Sequence, residues 1–214
     1  MRIAILGTGD VGQSLGTAFH TLGHQVRMGS RTAENEKAVA WASKCGDRAG
    51  CGTYAEVAAW AELVVLATLG TAIPEVIAAA QPSNLAGKIL IDTTNPLDHS
   101  HGFPPRLASM PGGSAGETVQ QLAPLVSVVK AFNTVGNRHM FRPDFPGGPP
   151  DMFICGDDEG AKGTVTTILE EFGWGTVDIG GIAGSGYLEA MCLVWVLYGA
   201  RTNTWDHAFK LLRK

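Results

Sequence analysis

Three closely spaced glycines near the start of the chain form the pattern with the clearest chemical meaning. The run Gly7-Thr8-Gly9-Asp10-Val11-Gly12 follows the apolar segment Arg2–Leu6 and opens a segment of helical periodicity. In this context the first glycine allows a tight turn, the second lets the backbone approach a pyrophosphate, and the third lets the helix lie close to the strand. The N–H groups at the start of that helix would face the anion. All six residues are therefore predicted to bind a dinucleotide. A glycine-rich turn without a ligand is the weaker alternative.

The residues after the second apolar segment indicate which dinucleotide is bound. Enzymes that use NAD place an acidic residue there for the ribose 2′-hydroxyl, whereas this chain has Gly29-Ser30-Arg31-Thr32. Ser30 and Thr32 can donate hydrogen bonds to a 2′-phosphate, and the guanidinium of Arg31 can pair with it in a bidentate fork. The pattern favours NADP(H). The alternative is that Arg31 is a solvated charge at the start of a helix.

Polar residues also follow the later apolar segments. In open α/β sheets the ligand lies beyond the carboxyl ends of the strands, so residues at these positions are candidates without further information. Asn95 and Asn133 can bond a nicotinamide amide, although capping of a loop is an equally reasonable role. The further cofactor-binding residues predicted in this way are Thr68, Leu69, Asn95, Pro96, Ala131, Phe132 and Asn133.

Few residues are candidates for proton transfer. We predict His139 and Asn133 as the catalytic residues, with His139 the best proton donor and a surface-loop histidine as the competing interpretation. Tyr187 and Glu189 are interpreted as a polar rim at the start of an apolar helix. The remaining candidate donors are Tyr187, His99, His101 and Lys130. The two-residue spacing of His99 and His101 lacks a third ligand, so no metal site is predicted.

Alternation of short apolar runs with amphipathic ones predicts the elements that position these residues. The fold class is α/β, a doubly wound, mostly parallel Rossmann sheet with a small C-terminal α/β extension. Residues 1–150 are predicted to form the NADP-binding Rossmann domain, and residues 151–214 the extension packed on the same core. The predicted strands are 2–6, 25–29, 50–53, 63–68, 88–92, 127–131, 151–155 and 176–179. The predicted helices are 11–22, 33–44 with Thr32 as N-cap, 55–60, 72–80, 116–122, 159–172, 187–198 and 205–212.

Bulk properties narrow the classes of partner. The chain has 214 residues, a net charge of −4 and no basic run, so no nucleic-acid surface is expected. The N-terminus is typical of a strand and not of a signal peptide, which indicates a cytoplasmic protein. The longest apolar run, 188–200, is too short to span a bilayer, and its apolar character all round predicts a buried helix. We expect a homodimer, the commonest oligomer, and a small-molecule hydride acceptor as the other partner.

The motifs together resemble a known family. The phosphate loop, the Gly-Ser-Arg turn at 29–31, Asp92-Thr-Thr-Asn-Pro96 and Lys130-Ala-Phe-Asn-Thr-Val-Gly-Asn137 occur in this order, as in the NADPH-dependent coenzyme F420 reductase-like family. The reductase domains of STEAP membrane proteins resemble the same family, but no membrane heme domain is expected here. The resemblance implies hydride transfer between NADPH and the deazaflavin coenzyme F420 or a flavin. It places the nicotinamide near Asn95 and 131–133, and the second ring against 138–150 and the helix after Gly186.

Two other functions remain open from the sequence. One is reduction of a small carbonyl or imine by NADPH, which would need a proton donor at the developing oxyanion or amine. The other is a sensor that binds NADP(H) and a protein without turnover. Hydride transfer between two stacked rings depends on positioning more than on an acid, and this fits the small number of titratable candidates.

Overall fold

An eight-stranded sheet runs through the molecule, in a computed structural model that describes residues 1–214. The strands of this sheet are β1 (Arg2–Leu6), β2 (Gln25–Ser30), β3 (Ala49–Thr53), β4 (Leu63–Leu66), β5 (Ile89–Asp92), β8 (Ser127–Lys130), β9 (Asp151–Gly156) and β10 (Gly175–Asp178). The two short strands β6 (Leu97–Asp98) and β7 (Arg106–Leu107) form a separate hairpin. The order in the sheet is β10-β9-β8-β5-β4-β1-β2-β3. Six strands are parallel, β9 joins β8 antiparallel, and β10 runs parallel to β9. The order reverses at β1, so a crevice for a ligand is expected between the carboxyl ends of β1 and β4.

Helices cover both faces of the sheet. They are α1 (Asp10–Thr21), α2 (Glu36–Cys45), α3 (Tyr54–Trp60), α4 (Ile73–Ala80), α5 (Pro82–Leu85), α6 (Ala115–Leu122), α7 (Glu159–Phe172) and α8 (Ser185–Thr202). Helices α1, α2 and α7 bury their apolar residues in the core on one face, and α3, α4 and α6 in the core on the other. In the core on the face of α1, α2 and α7, aromatic rings from distant parts of the chain meet: the ring centroids of Phe19 and Phe172 lie 4.9 Å apart. The predicted doubly wound α/β class is confirmed.

The start of α2 differs from the prediction. The helix begins at Glu36 instead of Ala33, and its N-cap is Asn35, whose side chain accepts a hydrogen bond from the Ala38 N–H at 3.2 Å. Thr32 is therefore not the cap. The hydroxyl of Ser30 donates to the Thr32 carbonyl, and this bond keeps the segment after β2 in a turn before the helix starts.

Helix α8 is longer and less buried than predicted. Leu188, Glu189 and Cys192 face the core, whereas the side chain of Tyr187 is 76% exposed. Full burial was therefore a wrong prediction. With the preceding turn the helix spans 182–202, 21 residues, which is long enough by length and composition to cross a membrane, so the argument from length fails. Within it, 33% of an apolar segment of 18 residues is buried against the domain, and Glu189 is buried in an ion pair with Lys130 of β8. These are the contacts of a helix packed on a protein core. The homodimer and the cytoplasmic location stay predictions.

The predicted final helix is absent. Residues 205–212 run without regular structure beside the start of β9, where the Asp151 N–H donates to the Phe209 carbonyl at 2.9 Å. The Leu211 N–H donates to the Asp151 carboxylate at 2.8 Å. Trp205 packs against the ring of Trp195, with 5.3 Å between the ring centroids. Tertiary contacts with β9 and α8 thus outweigh the helical pattern of this segment.

Candidate active site

The carboxyl ends of the central strands open into a cleft of about 530 Å³. Its volume is that of a small-molecule site, and it lies where the strand order reverses. The structure brings to it the predicted phosphate loop and the predicted residues after β4 and β5. The lining residues are Gly7, Thr8, Gly9, Asp10, Val11, Tyr54, Ala67, Thr68, Leu69, Thr93, Thr94, Asn95, Leu97 and Asn137.

Glycine stands at the three motif positions for different physical reasons. Gly7 has a φ of +131°, and a Cβ there would collide with the Ala67 carbonyl. A Cβ at Gly12 would lie 2.5 Å from the Gly7 carbonyl oxygen, so this glycine is needed for close packing of α1 on β1. A Cβ at Gly9 would meet nothing within 4 Å. The fold therefore requires glycine at positions 7 and 12, whereas Gly9 leaves open space on the cleft side of the loop.

Helix α1 points its N-terminus at the cleft. Gly9 is its N-cap, and no side chain caps the first turn. The first N–H groups of a helix have no partner within the helix and carry partial positive charge. This arrangement can accept an anionic group such as a pyrophosphate.

The end of β2 places two of its three predicted residues in solvent. The hydroxyl of Ser30 is buried and committed to the Thr32 carbonyl, whereas Arg31 and Thr32 are exposed. No carboxylate forms a salt bridge with Arg31. Tyr54, at the start of α3, lies close enough that the Arg31 charge opposes the rise in the pKa of its phenol caused by burial. Arg31 is thus an uncommitted cation at the edge of the cleft.

Asn95 and Asn133 hold each other at the ends of β5 and β8. The Asn95 amide donates to the Asn133 carbonyl at 2.8 Å, and the Asn133 amide donates to the Asn95 side-chain oxygen at 3.0 Å. The Asn133 amide also donates to the Leu188 carbonyl at 2.9 Å. Both amide hydrogens of Asn133 are therefore used, and Asn133 is buried behind the cleft. Its contacts position Asn95, which lines the cleft.

The other residues predicted around these strand ends lie behind the cleft wall. Ala131 and Phe132 are buried, and the Phe132 ring packs on Phe172 with 5.6 Å between centroids. Phe132 has a φ of +61°, a left-handed conformation that is strained for a bulky residue. Pro96 follows Asn95 where the backbone is tightly packed, since a Cβ at Gly70 would lie 2.5 Å from the Pro96 nitrogen. These residues shape the wall without presenting a side chain to the cleft.

A buried charge cluster lies under the end of β5. The Lys130 ammonium lies 2.8 Å from the Asp92 carboxylate, 2.8 Å from the Glu189 carboxylate and 2.8 Å from the Thr94 carbonyl oxygen. Burial opposes the Lys130 charge, but the two carboxylates raise the pKa of Lys130 above its usual value. All three donors of the ammonium are occupied, so Lys130 is no proton donor. The prediction that Glu189 belongs to a polar rim was wrong, because its side chain is buried in this cluster.

The histidine and tyrosine candidates lie away from the cleft. The Nε2 of His139 lies 2.8 Å from the Asp206 carboxylate, and its ring packs on Phe145 with 5.0 Å between centroids. His99, His101 and Tyr187 are exposed and are not among the lining residues. The structure thus brings no histidine to the cleft.

Replacement of His139 tests its predicted catalytic role. Because its ring contacts Asp206 and Phe145, we expect His139→Ala to leave kcat/KM within about twofold of wild type, the usual range for a surface substitution. The pH profile of turnover should be unchanged. A profile that loses one limb in the variant would restore His139 as the proton donor.

Tyr54, Leu97 and Asn137 line the cleft but were missed from the sequence. Tyr54 directly follows β3, so applying the strand-end rule to the third strand would have found it. Leu97 belongs to the small hairpin, and Asn137 to a short 3-10 turn where its amide donates to the Ser14 hydroxyl at 3.4 Å. Asn137 closes the motif 130–137, but nothing in that motif marks it as a lining residue, and no local signal marks Leu97.

The groups that are free to bind a ligand in the cleft match the chemical groups of NADP(H). The α1 N-terminus is uncapped, Gly9 leaves room for a phosphate, and Arg31 has no internal partner. The hydroxyls of Thr68 and Thr94 are also buried without a hydrogen-bond partner. Unpaired buried polar atoms are rare in proteins, so their occurrence beside this cleft points to a polar ligand.

Known proteins are similar to this chain over most of its length. The family described as "NADP oxidoreductase coenzyme F420-dependent" matches residues 2–96. The chain is 31% identical over 200 residues to the F420-dependent NADP reductase of Methanocaldococcus jannaschii, which covers 89% of both proteins. A crystal structure from Arthrobacter sp. FB24, provisionally assigned as an F420-dependent NADP reductase, matches 100% of both chains with a TM-score of 0.93 and 37% identity.

A metalloreductase is also related. The chain is 30% identical over 196 residues to the metalloreductase STEAP3 of Rattus norvegicus. This match covers 90% of the chain but only 36% of the rat protein. Three observations indicate the same cofactor, NADP(H). They are the phosphate loop, the exposed arginine after β2 and the similarity over 200 residues to the reductase of Methanocaldococcus jannaschii. The chain belongs to the family of coenzyme F420-dependent NADP oxidoreductases, and it is an NADP-dependent oxidoreductase.

Proposed function

We propose that this protein transfers hydride between NADPH and a flat ring acceptor, a deazaflavin such as coenzyme F420 or a flavin. The observation that carries the proposal is the lack of ionisable side chains among the lining residues at the ends of β4 and β5. Of its lining residues only Asp10 and Tyr54 are ionisable, and they lie at the phosphate loop and at the start of α3. The ends of β4 and β5 present only hydroxyl, amide and apolar groups. The similarity to the F420-dependent NADP reductase of Methanocaldococcus jannaschii supports the same acceptor.

The residues divide the work of binding between the two halves of the cleft. The loop 7–12 holds the pyrophosphate, and Arg31 with Thr32 holds the 2′-phosphate. Asn95 bonds the nicotinamide amide at the opposite end. Bound NADPH supplies the hydride, so the protein's part is to place two rings within about 3–3.5 Å of each other.

Leu69 is the side chain best placed to support an acceptor ring. It lines the cleft after β4, and its side chain is 77% exposed. An exposed apolar side chain at the mouth of a polar cleft offers a surface on which a flat ring can pack. Reduction of a carbonyl or imine would instead require a proton donor near the ends of β4 and β5, where none of the lining residues is ionisable.

An acceptor assay tests the proposal. We expect NADPH to be oxidised, as followed by its absorbance, when coenzyme F420, FMN or riboflavin is added, with much slower oxidation when NADH replaces NADPH. Leu69→Asp should raise the KM for the ring acceptor about 10–100-fold, since burying an apolar side chain of this size is worth about 1.5–3 kcal/mol and a charge cannot replace it. The binding of NADPH should change little.

A second leucine provides the matched control. Leu125 is 74% exposed and lies outside the cleft, so Leu125→Asp should leave the KM unchanged. The proposal would be contradicted by oxidation of NADPH with imines or carbonyl compounds and with none of the three ring acceptors.

A further inference from the structure

The buried cluster of Asp92, Lys130 and Glu189 carries an excess of negative charge. Each side chain is at most 2% exposed, and one ammonium faces two carboxylates. No other cation forms a salt bridge with either carboxylate. The N–H groups of Ala115 and Gly116, at the start of α6, bond Glu189 at 3.0 and 3.4 Å and offset part of the charge.

The neighbouring thiols add no charge that would change this balance. Burial raises the pKa of Cys192 to about 11, and burial also raises the pKa of Cys155. Both thiols therefore stay neutral at physiological pH. The cluster is formally one unit negative, and the backbone N–H groups that bond its two carboxylates offset part of this charge.

This charge lies immediately below the cleft. The Thr94 N–H donates to the Asp92 carboxylate at 2.9 Å, and the Thr94 carbonyl accepts from Lys130 at 2.8 Å. Thr94 itself lines the cleft at the end of β5. Because the cluster is buried, salt in solution screens its field much less than that of a surface charge.

We propose that this cluster stabilises the oxidised nicotinamide relative to the reduced one, and thereby makes bound NADPH a stronger hydride donor. The proposal rests on the proposed function, which places the nicotinamide at the ends of β4 and β5. When hydride, a proton with two electrons, leaves C4 for the acceptor ring, a neutral dihydronicotinamide becomes a cation. A negative charge below the ring favours that cation. The three residues touch neither substrate and act through their charge alone.

The ratio of two dissociation constants measures this effect without any turnover. We would determine Kd for NADP+ and for NADPH by calorimetry, with wild type and with Glu189→Gln, which removes one negative charge. Unit charges about 10 Å apart at an effective dielectric constant of about 20 interact strongly enough for a tenfold effect. We therefore expect Kd(NADP+)/Kd(NADPH) to rise about 3–10-fold in the variant, and the midpoint potential of the bound cofactor to rise with it.

A second lysine with two carboxylates supplies the matched control. On α7, Lys162 lies 2.8 Å from Glu159 and 2.7 Å from Asp178, but Glu159 is exposed. Glu159→Gln removes the same charge from a similar geometry away from the cleft, and it should leave the ratio unchanged. A ratio of two affinities measured on one sample is insensitive to any fraction that fails to fold.

Each outcome decides one question. If Glu189→Gln does not fold, Asp92→Asn removes the same charge and is expected to raise the ratio equally. An unchanged ratio in either folded variant overturns the role of the cluster, although both dinucleotides bind. Failure of wild type to bind either dinucleotide contradicts the proposed function instead.

Discussion

Arg31→Ala is expected to weaken NADPH binding by about 10–100-fold and to leave NADH binding nearly unchanged. The guanidinium has no internal partner at the end of β2, so its whole hydrogen-bonding capacity is available to the 2′-phosphate. Hydrogen bonds to charged groups contribute about 1.5–3 kcal/mol, and each 1.4 kcal/mol is about tenfold in affinity. Calorimetric titration with both dinucleotides measures the change directly.

Two controls separate this effect from a general loss of positive charge. Arg201→Ala removes an exposed arginine from the last turn of α8, and it should leave both affinities as they are. The preference of wild type for NADPH should also shrink as salt is added, because exposed ion pairs are screened. Equal binding of NADH and NADPH by wild type, with no effect of Arg31→Ala, would remove the basis for assigning NADP(H) to the end of β2.

The glycines of the phosphate loop should respond to alanine in opposite ways. Gly9→Ala is expected to fold with a free energy of unfolding within about 1 kcal/mol of wild type, because the added Cβ meets nothing within 4 Å. The methyl group would occupy the space of the pyrophosphate, and an overlap costing about 1–3 kcal/mol weakens NADPH binding about 5–100-fold. In contrast, Gly12→Ala places a Cβ 2.5 Å from the Gly7 carbonyl, so it should lower stability by about 1–3 kcal/mol.

Thermal unfolding and NADPH titration of the same samples distinguish these two results. A Cβ at Gly147 also meets nothing within 4 Å, and this residue does not line the cleft. Gly147→Ala should therefore change neither quantity. Wild-type affinity in Gly9→Ala would show that no phosphate passes over the loop at this position.

The sheet could be predicted from sequence because its strands carry an unambiguous local signal. Segments such as Leu63–Leu66 are continuous runs of Val and Leu, which is the pattern of strands buried on both faces. Their ends moved by one or two residues, since the last hydrogen bond of a strand depends on its neighbour. The motif glycines were predictable for the same reason: strand, loop and helix are adjacent in the chain.

Helix boundaries and burial were less predictable where distant residues decide them. Asn35 caps α2 instead of Thr32, and the segment between them is a turn in which the Ser30 hydroxyl bonds the Thr32 carbonyl. The burial of Glu189 depends on Lys130 and on the start of α6, which lie more than fifty residues away. No local pattern distinguishes such a glutamate from a solvated one.

The residues of the candidate site were likewise predictable where local sequence decides their position, and not where distant contacts do. Residues that follow a strand directly, such as Thr68 and Asn95, were found by the strand-end rule and do line the cleft. His139 was selected by residue type from a loop, and the structure pairs it with Asp206 instead. Asn137 could not be selected, because its place at the cleft depends on how a turn after β8 packs on α1.

The contact between Phe19 and Phe172 has a consequence for how the chain reaches its native state during synthesis. Translation delivers α1 long before α7, so the part of Phe19 that packs on Phe172 stays uncovered while about 150 residues emerge. A nascent chain in that condition is prone to association with other chains. We expect the ribosome-bound intermediate to depend on a chaperone until the last strand–helix unit closes over it.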